Sequence, residues 1–149
     1  MALVDLITPE VVKVPLAGKT KNEVIRELVQ VLLDAGRITE LESVYDALLT
    51  REALGSTGLE QGVAVPHAKT RAVRQLTAAI GIAPQGVDFQ SADGELSKLF
   101  FLLLAPPDQS GPHIQALAEI ARLAKSPTFL RLLAGASSGR EVAELIREG

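Results

Sequence analysis

Seven consecutive apolar residues, Leu99-Phe100-Phe101-Leu102-Leu103-Leu104-Ala105, run without a polar interruption and stop at Pro106-Pro107. A run this short with no alternation reads as a strand covered on both faces, and it is far too short to cross a bilayer. Such a strand requires helices on both sides of its sheet, and the flanking sequence supplies them. Thr20-Lys21-Asn22-Glu23 has the form of a capping box, followed by Val24, Leu28, Val31 and Leu32 on one face and by Gly36 as the exit. Thr39-Glu40-Leu41-Glu42 repeats that form ahead of Val44, Leu48 and Leu49. Pro112 suits the first turn of a helix whose apolar stripe would be Ile114, Leu117, Ala118, Ile120, Ala121 and Ala124. Ser126-Pro127 opens a short helix to about Leu133, and Ser138-Gly139-Arg140-Glu141 is a third capping box before Val142, Leu145 and Ile146. Further strands are expected at Val63–Val65, ending at Pro66, at Thr77–Ala83, ending at Pro84, and at Val87–Phe89. Helices come first, strands cluster in the middle and helices return. The expected class is therefore α/β (α+β), with a mixed sheet because strict βαβ alternation is absent.

The 149 residues suit one domain, 1–149, with no internal repeat or linker. Met1 to Leu6 has no basic segment leading into an apolar stretch, so neither a signal peptide nor membrane insertion is expected. There is no cysteine, which excludes disulfides, thiolate metal sites and cysteine nucleophiles and fits a cytoplasmic location. The net charge is −3 with the signs intermixed, and there are no Trp, one Tyr and four Phe. Neither a basic stripe nor a stacking platform is available, so no nucleic-acid partner is expected.

Two histidines carry most of the chemical interest. His67 follows Pro66 at the end of an expected strand, where proline breaks the ladder and turns the next side chain out of the sheet. A neutral imidazole, with an ordinary pKa of about 6.5, is a usable nucleophile near neutral pH. The plain alternative is a turn histidine without duty. His113 follows Gly111-Pro112 at an expected helix start, where free N–H groups favour an anion. The alternative there is a polar cap residue. Arg51 offers a planar fork of donors suited to phosphate oxygens, although basic residues are common in a last helical turn. Gly55-Ser56-Thr57-Gly58 can present N–H groups and hydroxyls to an anion or be a simple turn, and it matches neither a P-loop nor a dinucleotide fingerprint. The histidines form no H-x-x-x-H or H-E-x-x-H pattern, no G-x-S-x-G is present, and no metal site is expected.

Taken together, Arg51-Glu52, Gly55-Ser56-Thr57-Gly58, Gly62 and Ala64-Val65-Pro66-His67 resemble the signature of enzyme IIA domains of the bacterial phosphotransferase system, in the fructose, mannitol and nitrogen-regulatory family. Gly94-Glu95-Leu96, Phe100 to Pro106 and His113 to Ala118 extend the resemblance, which covers nearly the whole chain. It implies a three-layer α/β/α sandwich with a mixed central sheet. It further implies that His67 is the phosphorylated nucleophile, that His113 and Arg51 stabilise the phosphoryl group, and that Gly55, Ser56, Thr57 and Gly58 bind phosphate. His67 would act through Nε2, with Nδ1–H held by a backbone carbonyl. No metal or organic cofactor is implied. The implied donor is an HPr-type phosphocarrier, and the implied acceptor is a IIB component in sugar uptake or, in a nitrogen-regulatory protein, regulatory target proteins. A binding module of the same fold that is never phosphorylated is a third possibility. Glu60 stands where the family often has glycine, and its carboxylate is expected to face solvent.

Overall fold

The computed structural model describes residues 3–149. The helices are α1 (Leu3–Leu6), α2 (Lys21–Asp34), α3 (Leu41–Ala53), α4 (Ser110–Leu123), α5 (Pro127–Ala134) and α6 (Gly139–Glu148), with a 3-10 turn at Pro9–Val11. The strands are β1 (Val12–Lys13), β2 (Val63–Ala64), β3 (His67–Lys69), β4 (Thr77–Val87) and β5 (Ser97–Ala105). The sheet runs β1-β4-β5-β2, with β3 following β2 along the same edge of β5. β1 is parallel to β4, β4 is antiparallel to β5, and β2 and β3 are parallel to β5, so the sheet is mixed as expected.

Every residue of β5 from Leu99 to Ala105 is buried, and successive side chains of a strand point to opposite faces. Both faces of the sheet are therefore covered. α2 and α3 pack on each other, and α2 lies on β4, where Gly81 leaves room for the side chains of Leu28 and Leu16. α5 lies on β4 and β5 and leans on α6. The result is the three-layer α/β/α arrangement.

Local chemistry accounts for most boundaries. Thr20 caps α2 in a complete capping box with Glu23. The helix ends in a Schellman motif: Arg37 N–H donates to the Leu32 carbonyl and Gly36 N–H to that of Leu33, with Gly36 at φ 72°. Ser126 caps α5 through the Phe129 N–H. Ser138 accepts from the Glu141 N–H, but the Glu141 carboxylate reaches Ser137 instead of returning to Ser138, so that box is half formed.

Several expectations need correction. Thr39 caps nothing: α3 starts one residue later than expected, with Glu40 at the N-cap and no side-chain cap. Pro66 interrupts the edge strand without ending it, because the chain resumes pairing with β5 at His67. Pro84 does not end its strand either. It lies where the β4–β5 register shifts, between Ile82 and Val87, so its missing N–H removes no regular ladder bond; of the separate strand expected at Val87–Phe89, Val87 ends β4 and Asp88 and Phe89 lie in no strand. On α4 the inward face is His113, Ala116, Ile120 and Leu123, rotated from the expected stripe, and Ile114 stands 66% exposed.

The two sequence-similar cap sites thus separate cleanly. Thr20→Ala is expected to lower unfolding stability by about 1 kcal/mol, whereas Thr39→Ala leaves it unchanged. Urea midpoints at constant m-value check both.

Candidate functional site

Pro66 has no N–H to donate, and its carbonyl accepts from Leu103 N at 3.0 Å. His67 then opens β3 opposite Leu103. Its Nδ1 lies 2.7 Å from the carbonyl oxygen of Val65. A carbonyl can only accept, so in the neutral imidazole Nδ1 carries the proton and Nε2 keeps its lone pair. The expectation of a backbone carbonyl behind Nδ1 thus acquires a residue, Val65.

His67 sits in a cleft of about 450 Å³ whose walls include Arg51, Leu54, Lys69, His113 and Ile114. α3 supplies Arg51 from its last turn, β3 supplies His67 and Lys69, and α4 supplies His113 and Ile114. The two imidazoles meet edge to face, with ring centroids 5.4 Å apart and planes at 79°. His113 is only 5% exposed, and its Nε2 has no hydrogen-bond partner. Burial, reinforced by the nearby charge of His67 and Lys69, holds His113 below the usual histidine range. An orphaned buried ring nitrogen is costly unless an occupant of the cleft meets it.

The Arg51 guanidinium donates to the Gly55 carbonyl at 2.9 Å, and Lys69 Nζ donates to Ser110 Oγ at 3.1 Å. Among the described residues neither cation forms an ion pair, and no carboxylate lines the cleft. A chain of net charge −3 therefore carries a cationic cleft around one imidazole with a free lone pair. Such a set of donors suits the equatorial oxygens of a phosphoryl group.

The structure thus brings Arg51, His67 and His113 together. It places Gly55, Ser56, Thr57 and Gly58 differently: none lines the cleft. The Ser56 hydroxyl donates to the Phe89 carbonyl, and the Thr57 hydroxyl and N–H both go to Glu52. Only the Gly55 carbonyl reaches the site, through Arg51. His113 is the fourth residue of α4, not its first, and its N–H donates to the Gln109 carbonyl at 3.3 Å. The amides lacking intrahelical partners at that end are those of Ser110 and Gly111. Glu60 is exposed and lies outside the cleft.

Lys69 was missed from sequence. The available signal was strand period: on β3, residues 67 and 69 share a face, but β3 itself was hidden behind Pro66. Among the described residues no group of three or more His, Asp or Glu side chains is placed to share a metal ion, and no helix is long and apolar enough to cross a membrane.

Comparison with known proteins finds relatives over nearly the whole chain. The family model described as "Phosphoenolpyruvate-dependent sugar phosphotransferase system, EIIA 2" matches residues 5–149. The fructose-specific EIIABC component of Bacillus subtilis is 32% identical over 148 residues, 99% of this chain but only 23% of that protein's length. The fructose-specific EIIA component of Haloferax volcanii is 33% identical over 146 residues, covering 97% of this chain and 95% of its own. Among solved structures, the nitrogen regulatory protein IIA-Ntr from Neisseria meningitidis superposes with a TM-score of 0.89 at 28% identity, covering 97% of this chain and 98% of that one. Enzyme IIA of the Escherichia coli mannitol system, determined in complex with phosphorylated enzyme IIB, gives a TM-score of 0.80 at 26% identity, covering 95% and 97%. With residues 5–149 matched by the family model and the fold shared with these structures, the chain belongs to the EIIA 2 family of the phosphoenolpyruvate-dependent sugar phosphotransferase system.

Proposed function

We propose that this chain, as a single cytoplasmic IIA domain, accepts a phosphoryl group on His67 from an HPr-type phosphocarrier and passes it to a IIB component in sugar uptake. The observation that carries the reading is the Nε2 lone pair of His67, set by the Val65 carbonyl, in a cationic cleft without a carboxylate.

In this mechanism Nε2 attacks phosphorus in line. The new N–P bond forms as the donor's N–P bond breaks, and the released donor nitrogen recovers its lone pair. The transition state is loose, with charge spread over three equatorial oxygens, so catalysis is positioning plus electrostatics. Arg51 holds its guanidinium against Gly55 with donors to spare. His113 turns its orphaned Nε2 toward the phosphoryl oxygens, which requires that nitrogen to bear a proton. Lys69 adds a second cation by moving a short way from Ser110. The reverse attack by the acceptor uses the same contacts. Leu54, 82% exposed, and Ile114 form an apolar rim that each partner covers in turn.

Intact-mass analysis after incubation with phosphoenolpyruvate, enzyme I and HPr tests the reading. Wild type is expected to gain one acid-labile phosphoryl group and His67→Ala none. A phosphorylated His67→Ala protein overturns the assignment. His113→Ala and Arg51→Ala are expected to slow transfer by roughly 100-fold each, as for loss of one preorganised donor. Lys69→Met is expected to slow it by about 10-fold, the value of one charge-assisted hydrogen bond.

The likeness to IIA-Ntr across 97% of this chain supports a second reading, in which the phosphorylation state is read by regulatory target proteins. Rapid discharge to a fructose-type IIB supports the first reading. A stable phosphoprotein in its presence supports the second.

The depressed pKa of His113 also predicts a pH profile for stability. The unfolded chain protonates this histidine more readily than the folded one. Its contribution is complete above the ordinary histidine pKa and is lost as pH falls from there through the folded value. Urea midpoints of the unphosphorylated protein are therefore expected to fall below about pH 6.5, and His113→Gln should flatten that decline.

A further inference from the structure

Two charged residues stand at the wrong ends of their helices. Lys21 is the first residue of α2, where a cation opposes the helix dipole, and Glu52 is the last but one of α3, where a carboxylate does the same. Glu52 is moreover only 9% exposed. Each offsets the other: Lys21 Nζ lies 2.7 Å from Glu52 Oε1. The ammonium also sits 4.8 Å over the ring of Phe89. A buried pair of this kind seldom adds net stability, since desolvation consumes much of the attraction. Its geometry shows what it holds. Glu52 Oε1 accepts the Thr57 N–H at 3.2 Å and Oε2 accepts the Thr57 hydroxyl, and Thr57 is 4% exposed. The Thr57 carbonyl accepts the Val65 N–H at 3.0 Å, and two residues inward the Leu59 N–H donates to the Val63 carbonyl at 2.7 Å. Val65 in turn presents its own carbonyl to Nδ1 of His67 at 2.7 Å.

We infer that Glu52 is a positioning residue for His67: anchored by Lys21, it clamps Thr57, which fixes the Val65 carbonyl and hence the tautomer and aim of the imidazole. The inference rests on the carrier reading for its consequence, transfer through Nε2, but its structural content is separate. It accounts for Glu52 and Thr57, two residues of the signature that do not touch the cleft. Replacing the Thr57 hydroxyl by a methyl leaves one Glu52 oxygen without its partner in a buried site, which loosens the short ladder from Thr57 to Val65. The Val65 carbonyl then moves, and Nδ1 no longer holds its proton exclusively.

The test compares wild type, Thr57→Val, Thr57→Ser and Glu52→Gln on the full chain. The readouts are the His67 tautomer, from nitrogen-15 chemical shifts of labelled histidine, and the rate of phosphorylation by phospho-HPr. Thr57→Val and Glu52→Gln are expected to shift His67 from pure Nδ1–H toward a mixture and to slow transfer by about 10- to 100-fold, as for small misplacements of a reacting group. Thr57→Ser, which keeps the hydroxyl, is expected to retain both properties. A folded Thr57→Val protein with the wild-type tautomer and rate overturns the inference, as does one that loses stability while keeping both. If Thr57→Val does not fold, Glu52→Gln decides by the same two outcomes. If phospho-HPr does not phosphorylate wild type, the carrier reading fails and the tautomer arm alone decides the positioning role.

Discussion

The hydrogen-bonding of β5 on both of its edges is the constraint from which the remaining arrangement follows. β4 occupies one edge, while β2 and then β3 share the other. A buried strand has no water to satisfy its amides, so all of its backbone groups must find strand partners. The partners on the second edge come from one short stretch, Gly62 to Thr70, interrupted at Pro66, which accepts from Leu103 but has no N–H to donate. Val65, like Val63, turns its backbone groups away from β5: its N–H donates to Thr57 and its carbonyl meets the imidazole two residues on. The same core strand that stabilises the sheet thereby sets the chemistry at its edge.

The electrostatics follow a similar economy of means. Acidic side chains outnumber basic ones in the chain as a whole, yet they are kept off the walls of the cleft. Glu52, beside Arg51 in sequence, points away from the cleft and is neutralised by Lys21 from another helix. Arg51 and Lys69 are held by a carbonyl and a hydroxyl, which orient a cation without cancelling its charge. Packing enforces the rest: because α4 turns His113 inward with Ala116, Ile120 and Leu123, Ile114 must face outward to the rim.

Much of this is legible in the residues, for reasons that also mark where legibility stops. The uninterrupted run from Leu99 to Ala105 announces a doubly covered strand, and Thr20 with Glu23 announces the start of α2. β1 has two residues and no alternation, so it carries no readable period. Hydropathy misplaces the face of α4, because it counts a histidine as outward and an isoleucine as inward, whereas the site reverses both. Pro66 and Pro84 were read as strand ends because local propensity does not reveal whether a missing N–H falls on a paired position. Arg51, His67 and His113 were found together from the resemblance, since nothing in their separations of tens of residues predicts a shared cleft. Gly55 to Gly58 looked like an anion loop by composition, but tertiary hydrogen bonds turn its hydroxyls inward.

The orphaned Nε2 of His113 has an energetic consequence for a carrier of the proposed kind. That nitrogen is buried and has no hydrogen-bond partner, a penalty on the order of 1–3 kcal/mol for a buried polar group. In such a carrier a phosphoryl oxygen on His67 that met this nitrogen would remove the mismatch and lower the phosphorylated form relative to the unphosphorylated one. That contact would lower the group-transfer potential of the phosphohistidine relative to the same site without it. One buried ring nitrogen in the cleft wall would thus help set where such a carrier stands between its donor and its acceptor.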